Sequence, residues 1–295
     1  MSDNQILEKY NFRHQKKYGQ NFLTDVRIPQ RIADGCADLE SAPRDSEGKA
    51  EYLVLEIGPG AGILTKELAK RFSKVIAVEI DENLIPVLSE TLAEYPNASV
   101  INTDIMDVDL RELLEPLREH EGKRLPVCVC ANLPYYITTP VIMKLLEDYD
   151  NFSYITVMVQ KEVARRLASK QGGDDYGAIT AAINLYGSAQ KLFDVSAGNF
   201  NPRPKVDSSV VKITVANPPK YTPLQIKNAG KVIKAAFSMR RKTLTNALSG
   251  LDRDNFKDKE ALTALVAQML GNPSVRGEEL SADDFVRLSE KLFNM

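Results

Sequence analysis

Between residues 52 and 160, five short apolar, β-branched runs recur at spacings of about 22 to 28 residues, and this repeat restricts the fold more than any other feature of the chain. The runs are YLVLEI (52–57), KVIAVEI (74–80), ASVINTD (98–104), PVCVCAN (126–132) and SYITVMVQ (153–160). Each gap leaves room for a crossover helix. The intervening ILTKELAKRF, NLIPVLSETLAEY and TPVIMKLLEDY place apolar side chains three and four positions apart, as a helix covering one face of a sheet must. The expected architecture is an α/β fold on a mostly parallel sheet.

The pattern then changes. KEVARRLASKQGGDDYGA (161–178) reads as a helix running into a Gly-Gly-Asp-Asp tract with no apolar anchor, so a mobile surface loop is expected over 166–178. A helix (AITAAINLYG), a strand (AQKLFDVS), the proline-broken NFNPRPKVD and a last strand (SSVVKITV) follow. The proline-rich ANPPKYTP (216–223) marks a boundary, which divides the chain into residues 1–217 and a smaller all-helical part at 218–295. Beyond it LQIKNAGKVIKAAF, TLTNALSGL, KEALTALVAQML and SADDFVRLSEKLF show helical periodicity. The last opens on Ser281 as N-cap, with Asp284 in the place of the capping-box glutamate.

Several function classes recede on simple counts. Three cysteines cannot build a disulfide framework in 295 residues, and two histidines supply a metal cluster poorly, so no metal is expected. Cys128 and Cys130 read as small buried hydrophobes. Neither His14 nor His120 stands near a nucleophile motif, which leaves Ser-His-Asp hydrolysis without support. No apolar run approaches the ~20 residues that span a bilayer, and the N-terminus is charged where a signal peptide is apolar; a cytoplasmic protein without a membrane partner is expected. The net charge of −2 conceals an asymmetry: residues 201–250 carry ten basic side chains against Asp207 alone, a local +9 that leaves −11 for the rest. Such an excess suggests a surface that meets a polyanion, or a solvated helix face.

The chemistry concentrates at strand ends. After the first run, Gly58, Gly60 and Gly62 alternate ahead of a helix, where the backbone can approach a ligand too closely for any Cβ and unpaired N–H groups await it. A dinucleotide fingerprint would place its third glycine at position 63, which is Ile63. With Glu56 the pattern is E-x-G-x-G-x-G, which resembles motif I of the S-adenosylmethionine-dependent methyltransferases. Glu79 ends the second run, 21 residues after Gly58, and suits a carboxylate accepting both ribose hydroxyls of a nucleoside. Asp104 ends the third, followed by Ile105; in the methyltransferase pattern such an acid accepts from the adenine amino group while the apolar neighbour packs on the ring. Both acids could instead merely cap the following helices.

The fourth run ends in Asn132-Leu133-Pro134-Tyr135. The exocyclic amine of adenine is a poor nucleophile because its lone pair is conjugated into the ring. An enzyme must therefore accept both N–H hydrogens and draw the nitrogen toward sp³ geometry. The Asn132 amide oxygen and the Leu133 carbonyl, fixed beside Pro134, can do that, while Tyr135 holds the base by stacking, with Tyr136 adjacent.

These motifs together resemble the rRNA adenine N6,N6-dimethyltransferases of the KsgA (RsmA) type, and the resemblance covers nearly the whole chain. KKYGQNFLTD (16–25), the glycine loop, Glu79, Asp104, NLPYYITTP, QKEVARRL, FNPRPKVDSSV (200–210) and AFSMRRKTLTNAL appear in order. The resemblance implies a Rossmann-like class I S-adenosylmethionine-dependent methyltransferase fold with a smaller all-helical C-terminal domain. It also implies methylation of two adjacent adenines in the 3′-terminal hairpin loop of 16S rRNA, with S-adenosyl-L-methionine as cofactor and the small ribosomal subunit or its precursor as partner. Asn21, Leu23, Gly58, Gly60, Glu79, Ile80, Asp104, Ile105 and Asn132 would contact the cofactor. Asn132, Leu133, Pro134, Tyr135 and Phe200 would hold the target base, Phe200 as a second aromatic wall. Lys205 and the run Arg240, Arg241, Lys242 would bind RNA, and a monomer is expected. Two other readings stay open: a large-subunit rRNA adenine N6-methyltransferase of the antibiotic-resistance type, and a non-catalytic RNA-binding ribosome-assembly factor.

Overall fold

The computed structural model of the protein describes residues 9–10, 19–239 and 241–294. The chain divides into two compact units, one of residues 1–164 and 190–215, the other of residues 165–189 and 216–295.

In the first unit the five β-branched runs become strands β2 (Ala50–Ile57), β3 (Phe72–Glu79), β4 (Ala98–Asn102), β7 (Val127–Asn132) and β8 (Phe152–Gln160). Before them come the two-residue β1 (Phe22–Leu23) and helix α1 (Arg27–Gly35). Between them run α2 (Ile63–Arg71), α3 (Ile85–Thr91), α4 (Leu110–Leu114), the hairpin β5 (Glu119–His120) with β6 (Lys123–Arg124), and α5 (Thr138–Asp148). Along the chain then follow α6 (Lys161–Leu167), which begins in this unit, α7 (Ala178–Tyr186) of the second unit, and β9 (Gly187–Val195), β10 (Phe200–Asn201) and β11 (Ser208–Val215), which return to the first. The sheet order is β4-β3-β2-β7-β8-β11-β9. β2 pairs in parallel with both β3 and β7, and β3–β4 and β7–β8 are parallel as well, while β11 runs antiparallel to β8. The chain thus winds outward from β2 through β3 to β4, then returns to β2's other side as β7. That reversal opens a crevice at the carboxyl ends of β2 and β7, the place where open α/β sheets bind ligands.

Burial on both faces explains why the strands read as continuous apolar runs rather than alternating ones. All eight residues of β2 are buried. Ile28, Ile32 and Ala33 of α1 pack with Leu64 and Leu68 of α2 and Val54 of β2 in one cluster. That cluster also takes in Cys36, Cys128 and Cys130, each without solvent exposure, so the two strand cysteines are the buried small side chains expected of them.

The second unit is helical, with part of α6, α7, α8 (Pro223–Ser238), α9 (Leu244–Leu248), α10 (Lys259–Leu270) and α11 (Ala282–Leu292). The linker ANPPKYTP ends in a cap: Thr222 Oγ1 accepts from the Gln225 N–H at 3.3 Å, Gln225 Oε1 accepts from the Thr222 N–H at 2.8 Å, and Pro223 takes the first helical position. Ser281 and Asp284 close their capping box as expected, at 3.1 and 3.0 Å.

Two expectations meet a different structure. The 166–178 segment is anchored after all: Tyr176 is fully buried, its hydroxyl donates to the Leu280 carbonyl at 3.0 Å, and the Gly172 N–H donates to the Glu278 carbonyl at 3.0 Å. One aromatic residue directly behind a polar tract supplies the apolar anchor that the tract itself lacks. Residues 165–189, expected with the part that ends at 217, group with the helical unit, because Tyr176, Ala181 and Leu185 share a core with Val232, Leu265 and Phe285.

Candidate active site

The carboxyl ends of β2, β3, β4 and β7 converge on a cavity of about 200 Å³. Gly58 follows β2 with φ +68° and Gly60 has φ +59°, a region that side-chain-bearing residues rarely adopt. Their reasons for lacking a side chain differ. A Cβ on Gly60 would come within 2.9 Å of the Phe22 ring, whereas a Cβ on Gly58 would meet no protein atom within 4 Å. The space beside Gly58, which lines the cavity, is open.

Glu79, the last residue of β3, is 5% exposed. Its Oε1 accepts from the Asp81 N–H at 2.8 Å and its Oε2 from the Gly60 N–H at 3.4 Å. Burial pushes its carboxyl up to about 7, against the pull of those N–H groups. Past β4, Asp104 Oδ1 accepts from the Met106 N–H at 2.8 Å and caps a 3₁₀ turn over Ile105–Asp107. Capping and cavity lining coexist here, since Asp104 and Ile105 also face the cavity. Ile80 lines it too, and a buried carboxylate flanked by apolar side chains and a Cβ-free cradle suits a nucleoside.

At the end of β7, the Asn132 amide nitrogen donates to the Asn21 carbonyl at 3.4 Å, which turns the amide oxygen the other way. The Leu133 N–H donates to the Met158 carbonyl of β8 at 3.2 Å. The Pro134 carbonyl accepts from the Ile137 N–H and from Thr138 Oγ1, each at 3.2 Å. Tyr135 is half-buried, its hydroxyl 2.9 Å from Ser208 Oγ, and burial raises its pKa. Phe200, expected at the target base, is 5% exposed and part of the core cluster, and it also lines the cavity. It reaches that place because β10 pairs antiparallel with β1, Phe200 opposite Leu23.

The first unit therefore assembles Asn21, Leu23, Gly58, Gly60, Glu79, Ile80, Asp104, Ile105, Asn132, Leu133, Pro134, Tyr135 and Phe200 around one cavity, though they span 180 residues of sequence. Residues 16–18 of the N-terminal motif lie outside the described residues, as does Arg240. Lys205, Arg241 and Lys242 are exposed and do not line the cavity. Sequence reasoning missed Gln20, whose Nε2 donates to Asp81 Oδ2 at 2.8 Å, and Phe22, which sits against Gly60. Both lie in a motif already singled out, but which of its side chains face the cavity depends on β1 pairing with β10.

The family described as ribosomal RNA adenine dimethylase matches residues 11–290. The chain belongs to that family. A ribosomal RNA small subunit methyltransferase A from Bacillus cytotoxicus is 42% identical to it over 287 residues, covering 97% of this chain and 94% of the relative. One from Shouchella clausii is also 42% identical, covering 99% and 94%. Among solved structures, a dimethyladenosine transferase from Plasmodium falciparum superposes with a TM-score of 0.71 at 26% identity, covering 90% of this chain and 95% of that one. The 23S rRNA methyltransferase ErmE superposes at 0.63 with 24% identity and shows the fold alone, over 92% of this chain and 99% of that one. The fold is the class I S-adenosylmethionine-dependent methyltransferase fold, and the family's members are S-adenosylmethionine-dependent adenine methyltransferases. No helix among the described residues is long and apolar enough to cross a membrane.

Proposed function

We propose that the protein transfers methyl groups from S-adenosylmethionine to N6 of two adjacent adenines in the 3′-terminal hairpin loop of 16S rRNA, acting as a cytoplasmic monomer during small-subunit biogenesis. The observation that carries this reading is the corner Asn132–Tyr135 in the same cavity as Glu79, Asp104 and the Gly58 cradle. A site for a nucleoside cofactor and a site able to polarise an adenine amine share one enclosure, as direct transfer between them requires.

The residues present fit the cofactor. Space beside Gly58 admits its amino-acid end, the Glu79 carboxylate accepts the ribose hydroxyls, Asp104 accepts from the adenine amine, and Ile80 and Ile105 cover the ring faces. Asn21 and Leu23 close that side from β1's segment. Bound S-adenosylmethionine supplies an electrophilic methyl group on a positively charged sulfur. The protein's part is orientation and hydrogen-bond acceptance. The Asn132 oxygen and the Leu133 carbonyl accept hydrogen bonds from the N6 hydrogens. Each transfer breaks the sulfur–methyl bond, and the methylated nitrogen then loses one proton to solvent. Tyr135 and Phe200 enclose the base, and the Ser208 contact holds the Tyr135 ring in place. An adenine reaches this cavity only when unstacked, and a loop nucleotide costs less to unstack than one in a duplex.

The 42% identity to small-subunit methyltransferases over nearly the full chain favours the small-subunit substrate over the large-subunit one. The intact cavity speaks against a purely structural assembly factor. The deciding assay incubates the protein with methyl-labelled S-adenosylmethionine and small subunits from a strain lacking this modification, then maps the product by reverse transcription, which stalls where both N6 hydrogens are gone. Stalls at two adjacent adenines of the 3′-terminal loop, with about four methyls per subunit, are expected. Cofactor bound but no label there would move the assignment to another RNA or to a binding role.

The basic excess between residues 201 and 250 is partitioned by the fold. Arg203, Lys205 and Lys212 belong to the first unit and the other seven basic residues to the second. Lys220 pairs with Asp283 at 2.7 Å, and the Lys231 ammonium lies 4.6 Å from the Phe293 ring centre, so these two are partly occupied. Lys227, Lys234, Arg241 and Lys242 are exposed. Each cation removed from a phosphate should lower the slope of log affinity against log salt by about 0.7 on single-stranded RNA. The double variant Arg241→Ala, Lys242→Ala is expected to flatten the slope by about 1.4, measured by filter binding across a salt series. Equal slopes in variant and wild type would remove these two residues from the RNA interface.

A further inference from the structure

The Asn132 oxygen is aimed by a bond with little margin. Its amide nitrogen donates to the Asn21 carbonyl at 3.4 Å, near the outer reach of an N–H···O hydrogen bond, so a small shift of that carbonyl releases it. A released amide can turn over and present its N–H donors to an amine that needs an acceptor. What fixes Asn21 therefore bears on the chemistry. After it, the ladder with β10 sets Phe22 opposite Asn201 and Leu23 opposite Phe200, and the Thr24 N–H donates to the Asn199 carbonyl at 2.9 Å. The ladder begins at Phe22, which leaves the dihedrals on the other side of Asn21 to be set elsewhere. Asn21 Nδ2 donates to the Gly19 carbonyl at 2.9 Å, but that bond ties the segment only to itself.

Before Asn21 stands Gln20. Its Nε2 donates at 2.8 Å to Oδ2 of Asp81, which is 1% exposed. The other Asp81 oxygen accepts from the Asn83 N–H at 3.2 Å and from Asn83 Nδ2 at 2.8 Å, capping the 3₁₀ turn over Glu82–Leu84, and the Asp81 N–H donates to Glu79 Oε1 at 2.8 Å. A carboxylate held in this way is a rigid post, and a hydrogen bond to its charge is stronger than one between neutral groups. We propose that Gln20 is a positioning residue for methyl transfer: its bond to Asp81 pins the chain before Asn21 as β10 pins it after, and the carbonyl held between them keeps the Asn132 oxygen toward the target amine. The inference rests on the reading of Asn132 as an acceptor given above. Gln20 acts through Asn132 and not on the amine itself.

The test reads single-turnover methyl transfer to unmodified small subunits at saturating cofactor, alongside cofactor affinity by calorimetric titration. Gln20→Ala should slow transfer about 10- to 100-fold, as for the loss of a hydrogen bond to a charged group, with cofactor affinity within about threefold of wild type. Added to Asn132→Ala, the same change should slow transfer less than about twofold further, because the amide it orients is gone. A second cycle reverses the polarity of the bond. Gln20→Glu sets one carboxylate against another and should cost as much as Gln20→Ala. In the Asp81→Asn protein, whose introduced amide can donate to the introduced carboxylate while its oxygen still caps the turn, Gln20→Glu should cost less than about threefold. That rescue is a response to the hydrogen bond, which a role confined to packing would not give. A full transfer rate in Gln20→Ala overturns the proposal, as do additive losses with Asn132→Ala or an equal cost of Gln20→Glu with and without Asp81→Asn. A fall in cofactor affinity equal to the loss of rate also overturns it and makes Gln20 a cofactor ligand. Asn132→Ala that keeps the wild-type rate would instead overturn the parent reading, and because that variant is measured by itself the two failures stay apart.

Discussion

Asn132→Ala is expected to lower the methyl-transfer rate by about 10²–10³ while cofactor affinity falls far less. Asn132 ends a strand buried in the middle of the sheet, and its amide nitrogen is spent on the Asn21 carbonyl at 3.4 Å, so the orientation of its oxygen is built in before any substrate arrives. An acceptor fixed in advance costs no reorganisation when the amine nitrogen begins to leave conjugation, which is where such groups contribute most. The cofactor retains Glu79, Asp104 and the Gly58 cradle in the variant, so its binding has other support. Single-turnover transfer measured alongside cofactor titration separates the two quantities. A variant that keeps full transfer rate would remove Asn132 from the chemistry, and one that loses cofactor affinity in equal measure would make it a cofactor ligand alone.

The β-branched runs made the sheet legible because parallel strands buried on both faces need unbroken apolar sequence, and β2, β3, β7 and β8 each fall within two residues of the runs read for them. Local caps were equally readable: the Ser281–Asp284 box needs only residues three apart. What escaped depends on contacts distant in sequence. β1 and β10 are two residues each and have no periodicity, yet their pairing brings Phe200 to the cavity. The 166–178 segment looked unanchored because its anchor's partners, Leu280 and the α8–α11 core, lie far along the chain.

The site divides along the same line. Gly58, Glu79, Asp104 and Asn132 were legible because each stands at or just past the end of a strand, and parallel strands bring their carboxyl ends to one edge. Gln20 and Asp81, 2.8 Å apart, were not, because no spacing rule links a residue before β1 to one after β3. The ten basic residues counted together along the chain are shared between two units, and Lys220 pairs with Asp283 at 2.7 Å, so the +9 of the sequence is not the charge of either unit by itself.

Cofactor affinity is expected to weaken by about 30-fold between pH 8 and pH 5.5, and Glu79→Gln to abolish that dependence. Burial holds the Glu79 carboxyl at about 7 in the empty protein, above its ordinary 4.5. The neutral form therefore stabilises the fold, fully below pH 4.5, and that contribution is lost as pH rises through 7. Above 7 the empty protein carries a buried carboxylate whose N–H partners from Asp81 and Gly60 compensate it only in part. Two ribose hydroxyls donating to the ionised form would complete its hydrogen bonding, so binding favours the carboxylate and each pH unit below 7 should cost about tenfold. In Glu79→Gln one acceptor remains and nothing titrates. Affinity at pH 8 should fall about 10- to 100-fold, as for the loss of a hydrogen bond to a charged group, and stay level down to pH 5.5. Calorimetric titration at four pH values checks both, and the thermal stabilisation by saturating cofactor should shrink in parallel for wild type only. A level wild-type profile, or the same slope in Glu79→Gln, would show that the pH response does not arise at Glu79 and that the ribose hydroxyls bind elsewhere.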